Sequence, residues 1–308
     1  MSEILLHHYP QSPVAEKVRV GLGIKGLAWR SVIIPRVPPK PDLMPLTGGY
    51  RRTPVMQIGA DVYCDSQCIL RELERRFPEP SFMPGGSAGM VWGVSRWTDG
   101  PLLDLAVSIV LGAEPEALPP AFAADRGRLY FGEDYDFAAL QTDMPLILAQ
   151  ARAQLGWLDQ RIATGRGFIL GERPALPDAL CYYLVWFLRG RWPGADAFLS
   201  EFSDLEAWEQ RVKAIGHGRP SDLDSSAALE IARAAETETP ERGDERDPQG
   251  LRPGTEVSVT PLGIGGDPSV HGVVRFADRE TVAILREDER VGRVCVHFPR
   301  AGYRVAPA

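Results

Sequence analysis

Four cysteines in 308 residues (Cys64, Cys68, Cys181 and Cys295) are too few for a disulfide framework. Their scarcity points to a reducing, cytoplasmic setting. Long apolar runs are also missing. The longest, Ala179 to Leu188, is about half of what spans a bilayer, so it reads as a buried helix and no membrane role is expected. No basic segment precedes Ile4-Leu5-Leu6, so a signal peptide is not expected. Positive charge is not in excess: the net charge is −7, which argues against general affinity for nucleic acid. There is no repeat of twenty to fifty residues and no His/Cys cluster with zinc-ligand spacing. Cys64-x-x-x-Cys68 stands alone, and His7-His8 sits on a strand, where neighbouring side chains point to opposite faces. No metal is expected.

What remains is a chain long enough for about two domains. The first eighty residues alternate strand and helix. Ile4 to His8 is a short β run, and Ser12-Pro13 places an N-cap before a proline at the first helical position. Val14, Val18 and Leu22 then form one apolar stripe that Gly26 ends. Trp29 to Ile34 is β-like, while five prolines between Pro35 and Pro45 forbid regular structure. Val55 to Ile58 and Ala60 to Cys64 form a hairpin around Gly59, and Ser66 to Phe77 is helical. This β-α-β, β-β-α order predicts a thioredoxin-like α/β domain over 1–81. An all-helical domain over 86–236 follows, with helices at Ala88 to Leu111, Thr142 to Ala163, Asp178 to Arg189 and Ala195 to Ile215, and a shorter one within Ser221 to Ala235.

From Ser221 to Gly250 there are nine acids and three arginines, a net of −6. Residues 237–252 hold almost no large apolar side chain and are expected to be an exposed acidic linker. Beyond it the period changes to two, with Val257 and Val259, then Val273, then Val282 and Ile284, then Val294, Val296 and Phe298. Five short strands over 253–308 predict a small all-β module, an SH3-like barrel or meander. Gly263-Ile264-Gly265-Gly266 follows no βα unit and reads as a turn rather than a phosphate loop. Arg290, Arg293, Arg300 and Arg304 could share one face of the module, but acids nearly balance the arginines there.

Three short motifs carry chemistry. A hydroxyl at a helix N-terminus, as at Ser12, sits in the positive end of the macrodipole and can donate to a thiolate, which lowers the thiol's pKa; the alternative is a structural N-cap. Thr53-Pro54 opens a strand after Arg51-Arg52, either as a cis proline or as an ordinary trans edge proline. Asp65-Ser66 opens a helix, either as an anion site or as plain capping.

At these spacings, Ser12-Pro13-Val14-Ala15-Glu16-Lys17-Val18-Arg19, Thr53-Pro54-Val55 and Asp65-Ser66 together resemble the glutathione-binding domain of the soluble glutathione transferases. Pro13-Val14-Ala15-Glu16 is similar to the omega class, which has Cys where this chain has Ser12. The resemblance implies glutathione as co-substrate, with Ser12 stabilising its thiolate and Tyr9 as the alternative. It implies that Thr53 pairs its backbone with the cysteinyl residue before a cis Pro54, and that Asp65 and Ser66 hold the γ-glutamyl group. Arg52 joins this binding set. Ser in place of Cys favours transferase or isomerase chemistry over thiol exchange. Gly171 to Asp178 resembles the family's capping segment, but Ala175 replaces the Ser or Thr of the box. The family also implies a homodimer, a small electrophile as second substrate, and a pocket lined by Trp92, Arg96 and Trp97, unless those tryptophans are core packing. The competing reading is a non-catalytic scaffold whose β module binds a protein partner.

Overall fold

The computed structural model describes residues 3–263 and 265–307; the signal-peptide reading touches Met1 and Ser2, and the 263–266 turn contains Ile264, all outside this range. Two compact units form. One comprises residues 1–15, 28–73 and 219–308, and the other residues 16–27 and 74–218.

Along the chain, strand β1 (Leu5–His8) leads into helix α1 (Pro13–Ile24), then β2 (Ala28–Ile33), the short α2 (Met44–Thr47), β3 (Val55–Ile58), β4 (Asp61–Cys64) and α3 (Ser66–Arg76); α1 from Glu16 onward and the last turn of α3 belong to the second unit, the rest to the first. β1 pairs parallel with β2 and antiparallel with β3, and β3 pairs antiparallel with β4. This is the expected thioredoxin-like arrangement. Gly59, at φ 59°, makes the β3–β4 turn that an L side chain would resist. The predicted stripe of α1 is broader than its period suggested. Val18 and Leu22 are buried, but so are Glu16, Lys17 and Arg19. Charge pairing permits this: Arg19 holds Glu16 at 2.9 Å, and Lys17 pairs with Asp99.

The second unit is helical: α4 (Ala88–Thr98), α5 (Pro101–Ala113), α6 (Pro120–Phe131), α7 (Phe137–Thr142), α8 (Met144–Ala163), α9 (Leu176–Arg191), α10 (Ala195–Leu199) and α11 (Ser203–Ile215). The single helix expected over Ala88 to Leu111 is broken at Gly100-Pro101, because Pro101 has no N–H for the ladder and Gly100 leaves the helical region. The expected Ala195 to Ile215 helix likewise divides into α10 and α11. No helix among the described residues is long and apolar enough to cross a membrane.

The chain then returns to the first unit. β5 (Arg219–Asp222) adds parallel to β2, where the sequence suggested only helix, and α12 (Ser225–Ala234) follows. The β-rich C-terminal region consists of β6 (Glu256–Pro261), β7 (Val270–Ala277), β8 (Thr281–Asp288), β9 (Gly292–Pro299) and β10 (Tyr303–Pro307). These five strands were expected, but as an independent module. Instead β9 pairs parallel with β4, giving one ten-stranded sheet in the order β10-β6-β7-β8-β9-β4-β3-β1-β2-β5. The physical reason is the exposed edge of β4, whose unpaired backbone groups β9 satisfies. Val257, Val259, Ile284, Val296 and Phe298 share one buried cluster with Val55, Val62 and Cys64.

The linker expected at 237–252 is mostly exposed and lies between α12 and β6, but it is anchored. Thr237 and Thr239 each donate to Asp61 Oδ1 at 2.6 Å, and the Glu238 N–H donates to Asp61 Oδ2 at 2.8 Å. Arg242 exchanges backbone bonds with Arg275 and Ala277, and Leu251 is buried. Composition revealed the lack of apolar surface but not these polar anchors.

Candidate functional site

The site residues of the first unit lie at helix starts, in the loops feeding β3 and β7, and at the start of β10. Ser12 is buried ahead of α1; its Oγ accepts from the Ala15 N–H at 3.2 Å, and its own N–H donates to Tyr9 O at 3.1 Å. The capping role is thus filled, and the hydroxyl sits at the positive end of a twelve-residue helix. Tyr9 is buried in the apolar cluster, its ring centroid 5.9 Å from Lys40 Nζ.

Thr53-Pro54 is cis, as expected of the first of its two readings. Lys40, which the sequence reading passed over, is a buried cation beneath this turn; Nζ donates to Arg51 O at 2.8 Å and to Thr53 Oγ1 at 2.9 Å. Its only sequence signal was a lysine inside a proline-rich loop.

Asp65 takes a left-handed backbone, φ 76°, the one such non-glycine among the described residues. It, rather than Ser66, caps α3: Oδ1 accepts from the Gln67 N–H at 2.8 Å. Ser66 is the first helical residue and is buried at the same terminus.

The C-terminal strands reach these residues. Asp267, its side chain 2% exposed, accepts from Arg52 Nε at 2.7 Å and from Arg51 Nε at 3.2 Å. Burial works against the Arg52 charge, but the Asp267 carboxylate outweighs it and the pKa of Arg52 is raised. Tyr303 on β10 donates to Asp65 Oδ2 at 3.0 Å, and its hydroxyl lies 3.3 Å from that of Tyr50. Burial, reinforced by Asp65, holds both phenols well above their ordinary pKa, so both stay neutral. Arg52 and Asp65, two of the tripeptide-binding residues read from the sequence, are therefore engaged by residues more than two hundred positions away.

Trp92, Arg96 and Trp97 lie on α4, in the helical unit. Arg96 is exposed, and Trp97 donates from Nε1 to Gln154 Oε1 at 2.7 Å with its ring 6.1 Å from that of Trp157. The capping segment of α9 keeps half its box: Asp178 Oδ2 accepts from the Ala175 N–H at 2.9 Å, while Ala175 reciprocates only through its backbone oxygen.

Asp61, Cys295 and His297 are buried, with potential ligand atoms within 4.8 Å of one another. Their geometry is a hydrogen-bonded network: Asp61 Oδ1 already meets His297 Nε2 at 2.9 Å and both threonine hydroxyls. His7 and His8 are separately occupied, by Gln57 and Ser31.

A thioredoxin-like α/β unit followed along the chain by a helical unit, with these motifs in place, defines a glutathione-transferase-like architecture. Residues 6–81 match the family described as glutathione S-transferase, N-terminal domain. A GST-like protein from Pseudomonas syringae is 37% identical, with a TM-score of 0.80 and 100% of both chains covered, so its likeness extends through the C-terminal sheet. The chain belongs to the glutathione S-transferase-like family. A glutathione S-transferase from Rhodospirillum rubrum, at 20% identity, covers 68% of this chain and 88% of its own with a TM-score of 0.52. Glutathione S-transferase III in its apo form, at 19%, covers 69% and 92% with the same TM-score. These two share the fold. No curated protein matches the chain.

Proposed function

We propose that the protein binds glutathione and directs its thiolate at a small electrophile. The observation that carries this reading is the Ser12 hydroxyl at the N-terminus of α1, in the same unit as the cis Thr53-Pro54 turn and the α3 N-terminus. The Thr53 backbone pairs with the cysteinyl residue, Asp65 receives the γ-glutamyl amine, and Ser66 with the α3 N-terminus receives the α-carboxylate. Arg52 joins this set, its guanidinium paired with Asp267. The Ser12 O–H then donates to sulfur and lowers the thiol's pKa. In the chemical step the sulfur forms a bond to an electrophilic carbon, and a leaving group such as halide departs with its electron pair. Tyr9 is the alternative donor; Ser12 is favoured because its hydroxyl sits at the α1 N-terminus. Trp92, Arg96 and Trp97 are the proposed lining for the electrophile. A cytoplasmic homodimer is the proposed form of the protein, following the family.

One observation favours a second reading, a non-catalytic scaffold: Asp267 and Tyr303 already hold Arg52 and Asp65. Retention on immobilised glutathione, released by free glutathione, followed by turnover of a generic aryl halide, separates the two. Absence of both would exclude the enzyme.

A further inference from the structure

The contacts that the C-terminal sheet makes with Arg51, Arg52 and Asp65 give that sheet a role at the tripeptide site. Four charged side chains and two phenols form one cluster. Arg51 and Arg52 converge on the two oxygens of Asp267; Tyr303 joins Asp65 to Tyr50. Asp267 comes from the loop between β6 and β7 and is almost fully buried although that loop also exposes Leu262. A carboxylate withdrawn from water in this way is held by its two arginines.

We propose that Asp267 is a positioning residue that acts through Arg52 and sets the affinity of the site for the γ-glutamyl end of glutathione. The inference rests on the glutathione reading above. While Asp267 is paired with the arginines, the γ-glutamyl carboxylate meets a neutralised cluster and is held by Ser66 and the α3 N-terminus alone. Removing the Asp267 charge, without changing its shape, returns Arg52 to the ligand. The gain belongs only to ligands that carry the γ-glutamyl group, because the rest of the tripeptide lies against Thr53.

The experiment is calorimetric titration of the wild-type chain, Asp267→Asn and Asp267→Glu with glutathione and with cysteinylglycine, which lacks the γ-glutamyl group. Asp267→Asn is expected to bind glutathione roughly tenfold or more tighter than wild type, the scale of one charge-assisted hydrogen bond. Its affinity for cysteinylglycine should be unchanged, and Asp267→Glu should return to wild-type behaviour. Thermal melts of the three proteins establish that each is folded, and Tyr303→Phe, which releases Asp65 from the same cluster, gives a second folded variant expected to shift glutathione alone. Equal glutathione affinity in folded wild type and Asp267→Asn overturns the role of Asp267 while leaving the glutathione reading intact. A parallel change in both ligands also overturns it, since that marks a general structural effect. Failure of every folded variant to bind glutathione overturns the reading on which the inference rests.

Discussion

Asp61→Asn tests the seam that joins the C-terminal strands to the β4 edge. The Asp61 side chain is 0% exposed and accepts from His297, Thr237, Thr239 and the Glu238 N–H, so it ties β9 and the 237–239 segment to the hairpin. Burial alone would depress the pKa of His297. The Cys295 sulfur and the Asp61 carboxylate beside it prevail and hold it up to about 9. Asparagine keeps the shape but removes the charge, leaving a buried imidazolium without its counter-ion, a loss of about 3 kcal/mol or more. The shift itself, from 6.5 to about 9, corresponds to about 3 kcal/mol shared between Cys295 and Asp61. Because the folded-state pKa is raised, this stabilisation is fully present below pH 6.5 and is lost as pH rises through about 9. Urea unfolding of wild type and Asp61→Asn, measured between these limits at unchanged m-value, should therefore show a gap that is widest at the acid end and narrows toward the alkaline end. Asp61→Asn and His297→Gln should also be strongly non-additive when combined. A gap below about 1 kcal/mol, or one that does not vary with pH, would refute the charged seam.

Two further perturbations address the helical unit. Asp178 accepts from the Ile169 and Ala175 N–H groups and from Trp208 Nε1, at 2.8 to 2.9 Å, so Asp178→Ala should cost about 3 kcal/mol in denaturant unfolding by orphaning buried donors; a loss under about 1 kcal/mol would contradict its role as the anchor of α9. Gly23→Ala places a Cβ 2.1 Å from the Gly216 backbone oxygen, so it should destabilise by about 2 kcal/mol or more in the same assay, whereas a helix-favouring gain would show that the two segments do not meet so closely.

Much of the fold was readable because it rests on local signals. Ser12-Pro13 marked the start of α1, Gly59 the β3–β4 turn, and period two the strands β6 to β10. The parallel pairing of β9 with β4 was not readable, because no local pattern specifies which edge a strand will join. The 237–252 stretch misled for a related reason: its low apolar content was evident, but its anchor, Asp61, is 176 residues from Thr237. Helices α6 and α7 passed unnoticed between stronger signals. At the site, Ser12, Thr53 and Asp65-Ser66 stood out because backbone requirements constrain their residue types. Asp267, Tyr303 and Lys40 did not, since each serves through tertiary contacts made by an ordinary loop or strand residue.

The central claim, that Ser12 stabilises the thiolate of bound glutathione, is tested most directly by ultraviolet titration of that thiolate on wild type, Ser12→Ala and Tyr9→Phe. The bound thiol should titrate below its free value in wild type and in Tyr9→Phe. In Ser12→Ala it should return toward the ordinary thiol value by about 1 to 2 pH units, the equivalent of one charge-assisted hydrogen bond, with glutathione still bound and aryl-halide turnover reduced about a hundredfold. A bound thiol that titrates identically in wild type and Ser12→Ala, or one that shifts only in Tyr9→Phe, would contradict the account.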